Sequence, residues 1–277
     1  MPWPAAADPL RPVPPNLPLS QMRSVLRPIA GVFFAFVLLP LILHARPPEW
    51  LTEVAGRAGT MEYEDASHVV LLDDCHLTLD KNGVVTRRIR YAIRALTRDG
   101  REAAIAVLPY QTSSDKVKSF QAWTLPKTGK PIEYSRKRVL DMAYYSNSRE
   151  LYHEARKQVI SGYDDAMPGA VFGYESIVIE KSIYTQMRWH FQQKVPVEYS
   201  GITITLPPGW TSTAHTFNRD PIAPKLDGTT QTWALHSLPG TSTEPLGPPD
   251  HFHLPWLAID YHPPPAAGPS RSPSLSP

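Results

Sequence analysis

The sole thiol of the chain, Cys75, is followed at once by His76. A thiol nucleophile needs an imidazole within hydrogen-bond reach, so this pair is the first place to look for covalent catalysis. Alternation over residues 69–79 argues against it. Val69, Leu71, Cys75, Leu77 and Leu79 fall on one side of a strand, and His76 falls on the other with Asp74, Thr78 and Asp80. Cys75 is expected as a buried structural residue. Asp74, His76 and Asp80 could together approach a cation, but a solvated polar face is the plainer reading. Near the C-terminus, Asp250-His251-Phe252-His253 and Asp260-Tyr261-His262 offer imidazoles, and His-x-His places two on one side of an extended chain. The surrounding prolines supply no rigid support, without which such ligands bind weakly. Asp164-Asp165 is a paired carboxylate that turn chemistry explains, because Asp bonds local backbone in loops. Arg87, Arg88, Arg90 and Arg94, and the triplet Arg136-Lys137-Arg138, read as solvated faces. Contact with anionic glycan or lipid headgroups is their functional alternative. No phosphate-cradling glycine loop, nucleophile elbow or zinc spacing occurs. The residues thus lead to an expectation of no catalytic, cofactor-binding or metal site.

The elements that would carry these residues are strands. Val84 to Leu96 places Val85, Ile89, Tyr91, Ile93 and Ala95 opposite Thr86, Arg88, Arg90 and Arg94. Met187, Trp189, Phe191 and Val195 alternate with Arg188, His190, Gln192 and Lys194, and Ile202 to Leu206 repeats the pattern. One dry and one wet face per strand is the antiparallel case. Asn82-Gly83, Asp99-Gly100 and Lys127-Thr128-Gly129-Lys130 supply hairpin turns. Thr185-Gln186 is expected to join 172–184 and 187–195 as a long hairpin, and Ser148 to Lys157 is the one stretch with some helical character. Pro47 to Val54 reads as a short helix with Trp50 and Val54 on one face. The fold class is all-β, an antiparallel β-sandwich with long curved strands and one short N-terminal helix.

Composition sets the remaining bounds. Of 277 residues, 42% are hydrophobic and 19% charged, which excludes wholesale disorder. A net charge of +2 gives no electrostatic footprint for nucleic acid, and a single cysteine excludes an internal disulfide. Residues 1–45 read as an extension and export signal: Arg23 and Arg27 precede an apolar run from Pro28 to Leu43, and Ala45 offers the cleavage position. An uncleaved anchor over 28–43 is the alternative, although Pro40 interrupts a run already short for a bilayer. The proline-rich stretch before Met22 is unlike a signal start, so Met22 is the expected initiator. Residues 46–246 are expected to form the sandwich, and 247–277 a Pro/Ser-rich disordered tail. Exported, periplasmic or secreted, is the expected location.

Several short motifs carry a family resemblance. Met167-Pro168-Gly169-Ala170-Val171-Phe172-Gly173-Tyr174-Glu175 is followed by Leu206-Pro207-Pro208-Gly209-Trp210, then Thr232-Trp233-Ala234-Leu235, Leu238-Pro239 and Glu244-Pro245. With Tyr152-His153-Glu154-Ala155-Arg156 and Asn82-Gly83 upstream, this order resembles the uncharacterised β-rich domain found N-terminal to transglutaminase-like (papain-like) domains in exported bacterial proteins. The resemblance covers about residues 48–260 and implies an antiparallel β-sandwich without chemistry of its own. The Cys-His-Asp catalytic domain has no counterpart here, so none of its residues carries over. The implied role is binding or scaffolding at the cell envelope. A transglutaminase-like enzyme or another envelope protein is the implied partner. Two alternatives stand beside it: a truncated remnant of such an enzyme, and a carbohydrate-binding module using Tyr144, Tyr145 and Tyr152. No cofactor is expected.

Overall fold

A computed structural model describes residues 46–57, 59–63, 65–145, 154–181, 185–241 and 252–264. The expected export segment, Met22, Tyr152 and the pair Asp250-His251 lie outside them. The chain forms helix α1 (Glu49–Gly56) and then β1 (His68–Leu79), β2 (Val85–Ala95), β3 (Ile105–Gln111), β4 (Asp115–Leu125), β5 (Ile132–Glu133), β6 (Leu140–Ala143) and β7 (Ala155–Ser161). It continues through β8 (Val171–Glu180), β9 (Gln186–His190), β10 (Val197–Thr205), β11 (Thr211–Phe217), β12 (Lys225–Asp227), β13 (Thr230–Leu238) and β14 (Trp256–His262). An eight-stranded sheet runs β12-β13-β10-β1-β2-β8-β4-β5, and two three-stranded sheets run β11-β14-β9 and β3-β7-β6. The fold is all-β, antiparallel-dominated and sandwich-like. β1 against β10 is parallel, which alternation alone did not signal.

One face of the large sheet packs with both small sheets into the main core. Cys75, Leu77, Ile93, Phe172, Val178, Ile202, Ile204 and Trp233 come from the large sheet, Leu108 and Ile160 from β3-β7-β6, and Leu257, Ile259 and Tyr261 from β14. On the opposite face α1 buries Leu51 and Val54 against Val69, Leu71, Ala92, Trp123 and Val171. That seat depends on Gly173, because a Cβ there would lie 2.5 Å from the Leu51 side chain. The Asn-Gly turn forms as expected: Gly83 takes φ +79°, and Asp80 accepts hydrogen bonds from the Asn82 and Val84 amides. Lys127 to Lys130 likewise joins β4 to β5.

Five expectations need correction. A bulge between Val70 and Leu72 shifts the register of β1, so Val69 and Leu71 face α1 while Val70 joins Cys75 in the main core. Asp99-Gly100 opens a 3₁₀ turn, Asp99–Ala103, and its neighbours β2 and β3 lie in different sheets. β8 and β9 also separate into different sheets, so no hairpin joins them. Part of the stretch assigned helical character is strand, since β7 begins at Ala155 and pairs with β3 and β6. Finally, the expected tail contains β14, the middle strand of its sheet, paired with β11 and β9. The sandwich therefore extends beyond 246. Among the described residues no helix is long and apolar enough to cross a membrane.

Candidate functional site

The structure separates the pairs that could do chemistry. Cys75 is fully buried, and burial pushes its thiol up to about 12, so it is not a thiolate at neutral pH. His76 lies on the other face, with Nε2 3.1 Å from Asp74 Oδ2. Asp80 is committed to its turn. The paired carboxylate divides as well: Asp165 accepts a hydrogen bond from Tyr134 at 3.0 Å, while Asp164 is exposed. Asp260 accepts one from Gln186 at 2.9 Å, and His253 and His262 are exposed. Among the described residues, no three His, Cys, Asp or Glu side chains are placed to hold a metal ion together.

The basic row is less solvated than its sequence suggests. Cross-strand register puts Arg87 with Leu77 and Val178 on the core-facing side, where it meets Glu180 at 2.5 Å. On the outer side Arg90 bonds Glu175 at 2.6 Å and lies over the Trp50 ring, and Arg94 donates to the Ala55 carbonyl. These arginines tie strands to one another and to α1. Arg136-Lys137-Arg138 forms an exposed 3₁₀ turn, with Arg138 over the Tyr134 ring.

A polar seam runs through the sandwich and centres on Asp73, which the sequence reading passed over. Asp73 pairs in register with Ser200 and Tyr91. Gln193 donates to its carboxylate at 2.9 Å and accepts from Tyr91 at 3.2 Å, and Trp189 Nε1 donates to Ser200 at 3.1 Å. Burial raises the Asp73 carboxyl from 3.8 to about 7, against the lowering effect of Gln193 and with further raising by Asp74. An aspartate at an inward position of an alternating strand was the available signal. The hydrogen-bond donor to Asp73 is the Gln193 amide, and Cys75 lies two residues along on the same face, its thiol kept protonated by burial and pushed further up by the Asp73 charge.

Among the described residues, one surface suited to binding is the β3-β7-β6 sheet. Its inner side holds Asp141, which accepts from Tyr110, Arg156 and Gln158 at 2.8, 2.7 and 3.2 Å. These hydrogen bonds outweigh desolvation and hold the Asp141 carboxyl below its ordinary value. Tyr110, Arg156, Tyr144 and Tyr145 line a cleft of about 290 Å³. The Tyr144 and Tyr145 rings meet edge-on at 78°, so they form no shared flat platform of the kind a sugar ring stacks on. The outer side carries an apolar patch, bordered by Lys157 between Pro109 and Met142. Val107, Val159 and Leu140 are cross-strand neighbours, flanked by Ile105 and Met142. Ile105, Val107, Leu140 and Met142 are 42, 42, 58 and 39% exposed. Contiguous exposed apolar surface of this kind marks interaction sites.

An all-β, sandwich-like fold with an exposed apolar sheet face defines the class of protein. Residues 81–241 match the family described as a domain of unknown function with a solved structure, DUF3857, and the chain belongs to that family. No curated protein matches. Among solved structures, a candidate protease from Parabacteroides distasonis aligns at TM-score 0.62 and 16% identity, over 71% of this chain and 41% of its own. The chain thus spans about two fifths of that protein's length. An M1 zinc metallopeptidase from Deinococcus radiodurans aligns at 9% identity over 74% of this chain and 45% of its own, with a TM-score of 0.32, too low to indicate a shared fold.

Proposed function

We propose that this chain is a non-catalytic, exported β-sandwich module of the type that accompanies transglutaminase-like enzymes, and that it holds a partner protein or an enzyme's substrate at the cell envelope. The observation that carries this reading is the exposed apolar patch around Val107 and Leu140. Membership of DUF3857 and the segment order from Met167 to Leu238 support it. So does the placement of Cys75, buried and turned away from His76, which removes its sequence neighbour as an imidazole base.

A photo-cross-linking residue placed at Val107 in cells tests the reading, with Thr78 on the opposite outer surface as the control position. A discrete protein adduct in the envelope fraction from Val107, and none from Thr78, is the expected result. Equal labelling from both positions, or adducts confined to the cytosol, would reject it.

A further inference from the structure

The outer edge of β4 is only partly paired. β5 pairs with Trp123 and Thr124, and the Tyr134 amide reaches the Ala122 carbonyl at 3.0 Å. From Asp115 to Gln121 no described strand runs along that edge. A cleft of about 440 Å³ lies there, and Val117, Lys118, Ser119, Phe120 and Gln121 all line it. Side chains on a strand alternate between faces, so consecutive residues can line one cavity only if it runs along the strand's edge. The far wall includes Asp141 on β6 and Gln158 on β7, and Tyr134, Arg136 and Val139 close one side.

We infer that this cleft binds an extended acidic peptide, which adds a short strand to β4. Unpaired strand edges recognise extended chains through backbone hydrogen bonds, while neighbouring side chains set the sequence preference. The preference here follows from charge. Lys116 and Lys118 on β4 and Arg136, Lys137 and Arg138 on the adjoining turn are all exposed. The carboxylate on the far wall, Asp141, is already bonded to Arg156, and Glu133 is the other acid lining the cleft. Edge lysines discourage pairing with chains that bring no negative charge. The bulge between Val117 and Ser119 shortens the stretch that can pair. At about 3.4 Å per residue, Val117 to Gln121 accommodates about four paired residues. The inference refines the binding role proposed above by naming a ligand class. It concerns a different surface from the apolar face.

Fluorescence anisotropy of a labelled peptide of alternating glutamate and valine, added to the purified full chain, tests it. Saturable binding is expected, weakened at least about tenfold by Lys118→Glu with Arg136→Glu. A peptide of the same sequence with alternate amides N-methylated should fail to bind, because it keeps the charge and loses the strand hydrogen bonds. Val107→Lys should leave peptide binding unchanged, so failure here is distinguishable from failure of the apolar-face proposal. Equal binding of a lysine–valine peptide, indifference to N-methylation, or equally strong displacement by heparin or duplex DNA would overturn the inference. So would the absence of any saturable binding.

Discussion

Asp73 sits where a strand of a sandwich ordinarily carries an apolar side chain, and its carboxyl is raised to about 7. A raised folded value means that the native state holds the proton more tightly than the unfolded chain. The resulting stability is fully present below about pH 4 and is lost as pH rises through about 7. Asp73→Asn should therefore stabilise the protein by about 1–3 kcal/mol at pH 8 and have little effect at pH 4. Urea denaturation at the two pH values measures this, and an equal effect at both would refute it. Cys75 gives a second check. Native protein should resist iodoacetamide until it is denatured, and Cys75→Ser should cost about 1–3 kcal/mol for a hydroxyl placed among Val70, Leu77 and Ile202. The placement of Cys75 was legible in the sequence, whereas the role of Asp73 was not. The opposed directions of Cys75 and His76 follow from period two and survive the bulge, because both residues lie beyond it. The partners of Arg87 and Arg90 were not legible, since Glu180 and Glu175 are brought alongside by a strand some ninety residues away.

β14 and β9 form a sheet whose inner residues complete the core. Leu257 and Ile259 are fully buried and Tyr261 is 6% exposed. At about 1.5–3 kcal/mol per buried large side chain, losing all three approaches the whole stability of a domain. A chain ending at Pro255 should therefore lose its cooperative thermal transition, which calorimetry would show. On β9, Trp189 is half-buried and bonded to Ser200, whereas His190 is exposed and stacks on Trp256. Trp189→Ala should cost about 2–4 kcal/mol and His190→Ala less than about 1 kcal/mol. Equal costs would mean that the face of β9 is misassigned. The alternation of β9 was plain in the sequence, but its partner was not. Trp256 to His262 is flanked by prolines that suggest a tail, and alternation cannot reveal which distant segment a short strand will join. The bulge in β1 escaped for a related reason: with Val69, Val70, Leu71 and Leu72 all apolar, either register reads as alternation.

The molecule presents two outer surfaces of opposite character. Arg90, Glu175, Asp74 and His76 make the large sheet polar beyond α1, while Val107, Leu140 and Met142 leave the β3-β7-β6 sheet apolar. Such contiguous exposed apolar surface marks interaction sites. If the apolar face is the docking surface, Val107→Lys with Leu140→Lys should leave stability within about 0.5 kcal/mol, because both side chains are already exposed. The decisive measurement is a calorimetric titration of the purified chain with the catalytic domain of a transglutaminase-like enzyme from the same genome. With the enzyme as the partner held, the proposed role predicts saturable binding that the double substitution weakens at least about tenfold. Absence of binding, or binding that the substitution leaves unchanged, would contradict the enzyme as partner and the apolar face as its docking surface.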